Sequence, residues 1–277
     1  GTEARDPLTH AEAMATEHAQ DWTEAEALEI SELLENDTFE WVDAPAGAHI
    51  ISSKWVYKTK MLPNNVIERF KARLVARGFS QVPGLDYDDS MTHSPVVRHT
   101  SLRAVLAHAA HANWPVHQMD VKTAYLKAPL DEIIYMAPPK GWAKPAKNGV
   151  RQILKLNKSI YGLKQSGNNW NRHIDAWFKE QGFTPSDADP CLYRRHDSGC
   201  NVTFIVCLYV DDLLITGPTQ KSISEFKTTI NAAFPMKDLG TLKYLLGMEI
   251  IFGDRTVSIS QKQYIEDMLQ IYDMQNC

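Results

Sequence analysis

The sequence predicts an α+β fold in which helices pack on one face of an antiparallel sheet of the split βαβ kind. Three observations lead there. The apolar run 202–216 is interrupted only by Thr203 and the pair Asp211-Asp212, so it reads as two buried strands meeting at the carboxylates. Amphipathic helical stripes flank it, with Trp170, Ile174, Trp177 and Phe178 before and Ile223, Phe226, Ile230 and Phe234 after. The elements run in the order strand, helices, a two-stranded turn, helix, strand, without an internal repeat or a low-complexity segment.

Residues 9–36 carry Ala27, Ile30, Leu33 and Leu34 at helical spacing with no internal Gly or Pro, which predicts an acidic lead helix. The runs 51–60 and 67–75 are rich in β-branched and aromatic residues and are joined by Leu62-Pro63-Asn64-Asn65, a hairpin signal. Alternation then places Lys71, Arg73 and Val75 on one face of the second strand and Phe70, Ala72 and Leu74 on the other. After a loop rich in Asp, Pro and Gly (82–95), Leu102, Val105, Leu106, Ala109 and Ala110 form a helical stripe with Thr100 or Ser101 as cap. A short strand, 115–120, follows. The helix through Trp170 should halt near Gly182 and Pro185. Segments 248–252 and 256–260, separated by Gly253-Asp254, predict a hairpin ahead of an amphipathic end with Ile265, Met268 and Leu269.

At 277 residues and 44% hydrophobic content the chain can bury a substantial core as one large domain or two smaller ones. No run approaches the roughly 18 apolar residues of a membrane span, and the opening GTEARDPLTH lacks the apolar centre of a secretory signal, so a soluble intracellular protein is expected. Cys191, Cys200, Cys207 and Cys277 match no zinc spacing and read as reduced structural thiols. The net charge of -5 excludes binding of polyanions through overall charge. A local basic patch exists in Lys54, Lys58, Lys60, Arg69, Lys71, Arg73 and Arg77, against the single acid Glu68, while the first forty residues are acidic.

Asp211 and Asp212 alone would be an ordinary solvated turn. Their flanks are so apolar that the turn must sit on a buried sheet, where adjacent anions repel and lose hydration unless a cation compensates them. Asp120 ends a predicted strand in VHQMDVKTAYL, where a helix cap is the ordinary role. Three carboxylates at the ends of neighbouring strands form a hard-oxygen cluster suited to Mg²⁺. Such a cluster can share two ions that stabilise the attacking and leaving oxygens of a phosphoryl displacement, the chemistry of polymerases and of nucleases.

Eight blocks stand in order along the chain: KWVYKTK (54–60), ERFKARLVARGFSQVPGLDY (68–87), HQMDVKTAYL (117–126), SIYGLKQ (159–165), DPCLY (189–193), LYVDDLLITG (208–217), FPMKDLGTLKYLLGMEI (234–250) and ISQKQYIEDML (259–269). Through them the chain resembles, over nearly its whole length, the copia-type reverse transcriptase of long-terminal-repeat retrotransposons. The resemblance implies an RNA-directed DNA polymerase of right-hand architecture, with an acidic lead (1–45), fingers (46–95 and 130–165), palm (96–129 and 166–253) and the start of a thumb (254–277). It places the catalytic triad on Asp120, Asp211 and Asp212, which with Val121 would hold two Mg²⁺ ions, Mn²⁺ being able to substitute. Lys71, Arg73, Val121, Thr123, Ala124, Tyr125, Tyr161 and Gly162 would line the nucleotide site, with Tyr125 as the gate against a ribose 2′-hydroxyl. Tyr209, Leu246 and Gly247 would hold the primer. The implied partners are a primed RNA or DNA template, deoxynucleoside triphosphates, and thumb and RNase H portions beyond Cys277, within a cytoplasmic retrotransposon particle. Ser166-Gly167-Asn168-Asn169 departs from the Pro-and-Arg version common after Gln165 in the family, and Tyr125 stands where many relatives carry Phe.

Overall fold

The computed structural model describes residues 5–62 and 66–275. Two compact units divide the chain, one holding the residues up to Ser94 with Ala124–His173, the other Pro95–Thr123 with the residues from Ile174 onward. In chain order the first unit begins with α1 (His10–Met14), α2 (Ala19–Glu35), β1 (Phe39–Asp43), β2 (Ile50–Ile51), β3 (Ser53–Met61) and β4 (Ile67–Ala76). The second unit supplies α3 (His99–Ala112) and β5 (Val116–Val121), and the first resumes with β6 (Pro129–Met136) and β7 (Gln152–Lys158). From α4 (Ser166–Glu180) the chain runs into the second unit: β8 (Thr184–Ser186), β9 (Asp189–His196), β10 (Val202–Tyr209), β11 (Asp212–Thr216), α5 (Gln220–Ala233), β12 (Met236–Thr241), β13 (Tyr244–Leu245), β14 (Met248–Gly253), β15 (Thr256–Ser260) and α6 (Lys262–Ile271).

In the first unit a sheet of order β1-β7-β6-β2 accompanies the separate two-stranded hairpin β3-β4. The hairpin has the expected faces: Trp55, Tyr57, Ala72 and Leu74 are buried, while Lys58 faces Lys71 and Lys60 faces Arg69 across the ladder. Pro63, Asn64 and Asn65 of the predicted turn lie outside the described residues. In the second unit six antiparallel strands form the order β12-β5-β11-β10-β9-β8. The central strands stand in the order β12-β5-β11-β10, with β6, β7, α4, β8 and β9 between β5 and β10 along the chain and α5 between β11 and β12. Burial is continuous over Phe204–Leu208 and Leu213–Thr216, so both faces of these strands are covered. The buried side of α3 is the predicted set Leu102, Val105, Leu106, Ala109 and Ala110.

Three local expectations need correction. The lead segment is two helices, with the chain turning at Ala15–His18, where the Thr16 hydroxyl donates to the Ala13 carbonyl (2.8 Å). Its buried side is Trp22, Glu26, Glu29, Ile30 and Leu33, leaving Leu34 48% exposed. The cap of α3 is Arg98, with no side-chain capping bond, in place of Thr100 or Ser101. The β14-β15 turn is Asp254-Arg255, with Arg255 at φ +49, and Gly253 still pairs within the strand. Cys191 and Cys207 are buried free thiols and Cys200 is an exposed one.

Candidate functional site

The β10-β11 connection is a two-residue turn, since Tyr209 pairs with Asp212. Its first residue, Val210, sits at φ +57, a left-handed conformation that strongly disfavours a β-branched side chain. Backbone strain of this kind, roughly 1–3 kcal/mol, persists only where surroundings enforce it. Here the Asp211 carbonyl accepts the Val121 N–H (2.8 Å), locking the turn to β5. In register, Asp212 of β11 stands directly opposite Asp120 of β5, and Asp120 directly opposite Lys237 of β12. Directly paired residues share a sheet face, so an Asp-Asp-Lys row crosses three strands there.

Gln118, on the same face of β5 as Asp120, donates from Nε2 to Asp212 Oδ1 (2.9 Å). Burial holds the Asp212 carboxyl above the usual carboxylate range and the Asp211 charge adds to this, while the Gln118 bond opposes it. On the opposite face of β5, His117 Nε2 lies 3.0 Å from Gln220 Oε1 and its Nδ1 lies 2.7 Å from Lys227 Nζ. The ammonium can only donate, so Nδ1 is the acceptor and Nε2 carries the proton. Lys227 also donates to Asp238 Oδ1 (2.6 Å). These bonds fix β5 to α5 and β12 behind the carboxylate row.

The donor set Asp120, Asp211 and Asp212 is all hard oxygen, and its crowded charge is what a Mg²⁺ ion would relieve, so the residues fit the ion by chemistry. Among the described residues, no set of three His, Cys, Asp or Glu side chains is already arranged to hold a metal ion. The register supplies the Asp120-Asp212 pair, and Asp211 adjoins it in the strained turn. The Val121 side chain is 2% exposed within the sheet, leaving its main-chain carbonyl as its possible donor.

The first unit assembles a second group of predicted residues. The Arg73 guanidinium lies 4.2 Å over the Tyr161 ring, whose edge meets the Tyr125 ring at 4.9 Å. Tyr161 O accepts the Ala76 N–H (2.8 Å), and Gly162, at φ +91, passes so close that a Cβ there would stand 2.1 Å from the Ala76 carbonyl oxygen. Only glycine fits that approach. Ala124 is buried and opens a short 3-10 turn, Ala124–Lys127, that carries Tyr125. Lys71 is half-buried, and burial and then the Arg73 charge lower its pKa. In the second unit, Thr123 takes φ +54, and Leu246 (φ +50) and Gly247 (φ +77) make the two-residue turn between β13 and β14. Thus Asp120 and Asp212 meet in one cluster and Arg73, Tyr161 and Tyr125 in another. Gln118, Lys237 and the His117-Lys227 contact were missed, because each acquires its meaning from contacts between distant strands and helices that no local signal encodes.

The family described as "Reverse transcriptase (RNA-dependent DNA polymerase)" matches residues 36–277. The retrovirus-related Pol polyprotein from transposon TNT 1-94 of Nicotiana tabacum is 38% identical over 98% of this chain and 20% of its own length. That from transposon RE1 of Arabidopsis thaliana is 34% identical over 95% of the chain and 18% of its own length. The transposon Ty1-LR2 Gag-Pol polyprotein of Saccharomyces cerevisiae is 31% identical over 83% and 13%. The chain therefore spans about a fifth or less of these relatives.

Proposed function

The chain belongs to the reverse transcriptase (RNA-dependent DNA polymerase) family, and from that premise we propose that it extends a primer 3′-hydroxyl with deoxynucleotides on an RNA template by two-metal nucleotidyl transfer. The observation that carries this reading is the direct pairing of Asp120 with Asp212 on adjacent central strands, with Asp211 beside them in a strained turn. In this reading residues 46–95 and 130–165 are fingers and 96–129 and 166–253 palm. Divalent ions held by Asp120, Asp211, Asp212 and the Val121 carbonyl would activate the primer hydroxyl and stabilise the departing pyrophosphate.

The chain's own residues do the rest. Lys71 and Arg73 bind the triphosphate oxygens, Arg73 with its guanidinium pre-oriented by the Tyr161 ring. Tyr125, braced by Tyr161, occupies the space a 2′-hydroxyl would need. Main chain at Thr123, Ala124 and Gly162 lines the nucleotide, while Tyr209 and the Leu246-Gly247 turn support the primer end. Lys237, opposite Asp120, places a cation where phosphate charge develops.

Primer extension on an RNA template with Mg²⁺ tests the reading, with Asp211→Asn as the control. Template-dependent synthesis that Asp211→Asn abolishes is the expected result. A protein that binds the primed template with steep salt dependence yet incorporates nothing in Mg²⁺ or Mn²⁺ would instead be a decayed relic.

A further inference from the structure

One face of the β3-β4 hairpin is crowded with cations. Lys58 stands directly opposite Lys71 and Lys60 opposite Arg69, with Lys54 and Arg73 on the same side. Like charges paired across a ladder destabilise it, and a lone two-stranded hairpin is marginal in water. Support comes from the segment ahead of the matched family region, which begins at residue 36, through hydrogen bonds and one ion pair, Asp6 with Lys58.

Both outer edges of the hairpin are taken by carboxylates of that segment. On β3, Asp6 accepts the Thr59 N–H (2.7 Å) and the Lys58 ammonium (2.8 Å). On β4, the buried Glu29 of α2 accepts the Leu74 N–H (3.1 Å). Between them Glu26, 1% exposed, accepts from the Tyr57 hydroxyl of β3 and from Trp142 Nε1 (3.0 Å), and lies 2.8 Å from His10 Nδ1. Trp22 of α2 packs edge-on against Phe70 (4.6 Å) and Tyr57 (5.1 Å). Carboxylates this buried are rare unless every one is partnered, and here hairpin donors, Tyr57 and the Leu74 amide, take part in both.

We propose that residues 5–35 form a positioning clamp on the β3-β4 hairpin, in which Asp6, Glu26 and Glu29 fix its edges and core so that Lys71 and Arg73 meet the incoming triphosphate at a set position. Glu29 is the decisive contact, because the amide it holds belongs to Leu74, the residue after Arg73. These acids are positioning residues and touch no reacting atom. The inference rests on the polymerase reading, since it assigns the clamp's effect to nucleotide binding.

The test uses the whole chain with two variants, Glu29→Ala and Glu29→Gln, the second keeping a carbonyl oxygen for the Leu74 N–H. Expected for Glu29→Ala are hydrogen exchange in the 67–76 strand about tenfold faster and a KM for deoxynucleotide raised about tenfold, with kcat changed far less. Glu29→Gln should restore both. Faster exchange with an unchanged KM would reduce the clamp to a stabilising role and overturn the proposal, as would unchanged exchange. Equal loss of kcat and KM effect in both variants would overturn it too. Absence of synthesis by the unaltered protein would instead strike the polymerase reading, with the exchange measurement still reporting on the clamp.

Discussion

Glu29 also gives a quantitative prediction about stability. Burial on the inner side of α2 raises its pKa from 4.5 to about 7, against the opposing Leu74 hydrogen bond and the Arg73 and Lys71 charges, with neighbouring Glu32 adding to the rise. Below pH 4.5 the carboxyl is protonated both folded and unfolded, and it contributes no pH dependence. Between 4.5 and about 7 the unfolded chain releases a proton that the folded chain keeps, so stability falls as pH rises, and above 7 the full penalty is present. The gap of roughly 2.5 pH units, at about 1.4 kcal/mol each, amounts to roughly 3 kcal/mol. Glu29→Gln keeps the acceptor for Leu74 and removes the ionisation. Urea unfolding followed by tryptophan fluorescence should show the variant near wild type at pH 4 and more stable by up to roughly 3 kcal/mol at pH 8. A pH-independent difference, or a variant that loses more stability at pH 8 than at pH 4, would refute the reasoning.

Four further outcomes are expected. Asp211→Asn should lower primer extension by about a thousandfold or more while leaving the circular dichroism spectrum and urea midpoint near wild type; retained synthesis sinks the triad. Tyr125→Val should raise ribonucleotide incorporation relative to deoxynucleotide, measured by competing the two triphosphates, and unchanged sugar selectivity would count against the gate. Gly162→Ala forces a Cβ to within 2.1 Å of the Ala76 carbonyl oxygen at φ +91 and should destabilise the chain by roughly 2–4 kcal/mol in denaturant unfolding. Leu246→Gly relaxes a side chain held at φ +50 and should leave stability unchanged or raise it by up to about 1 kcal/mol; a large loss would show that the leucine side chain outweighs the backbone strain.

Much of this was legible in the amino-acid order. The β3-β4 faces, the α3 stripe and the two strands meeting at Asp211-Asp212 follow from periods of 2 and 3.6 residues, which each segment carries within itself. The carboxylates were likewise visible as polar residues stranded in apolar surroundings, and the family blocks fixed their order along the chain. The break at Ala15–His18 was not legible, since an Ala-rich acidic stretch without Gly or Pro suits one helix as well as two.

What the sequence determined alone was therefore local: which segments are helix or strand, which side of each is apolar, and where charge is out of place. The tertiary structure decided everything that depends on pairing between distant segments. It set Asp120 against both Asp212 and Lys237, gave Gln118 its carboxylate, and made Glu26 and Glu29 buried acceptors for donors of the β3-β4 hairpin. The reason is physical: helix and strand periods arise from backbone geometry within a few residues, whereas register and burial are fixed only when hydrogen-bond ladders and apolar faces from far along the chain are satisfied together.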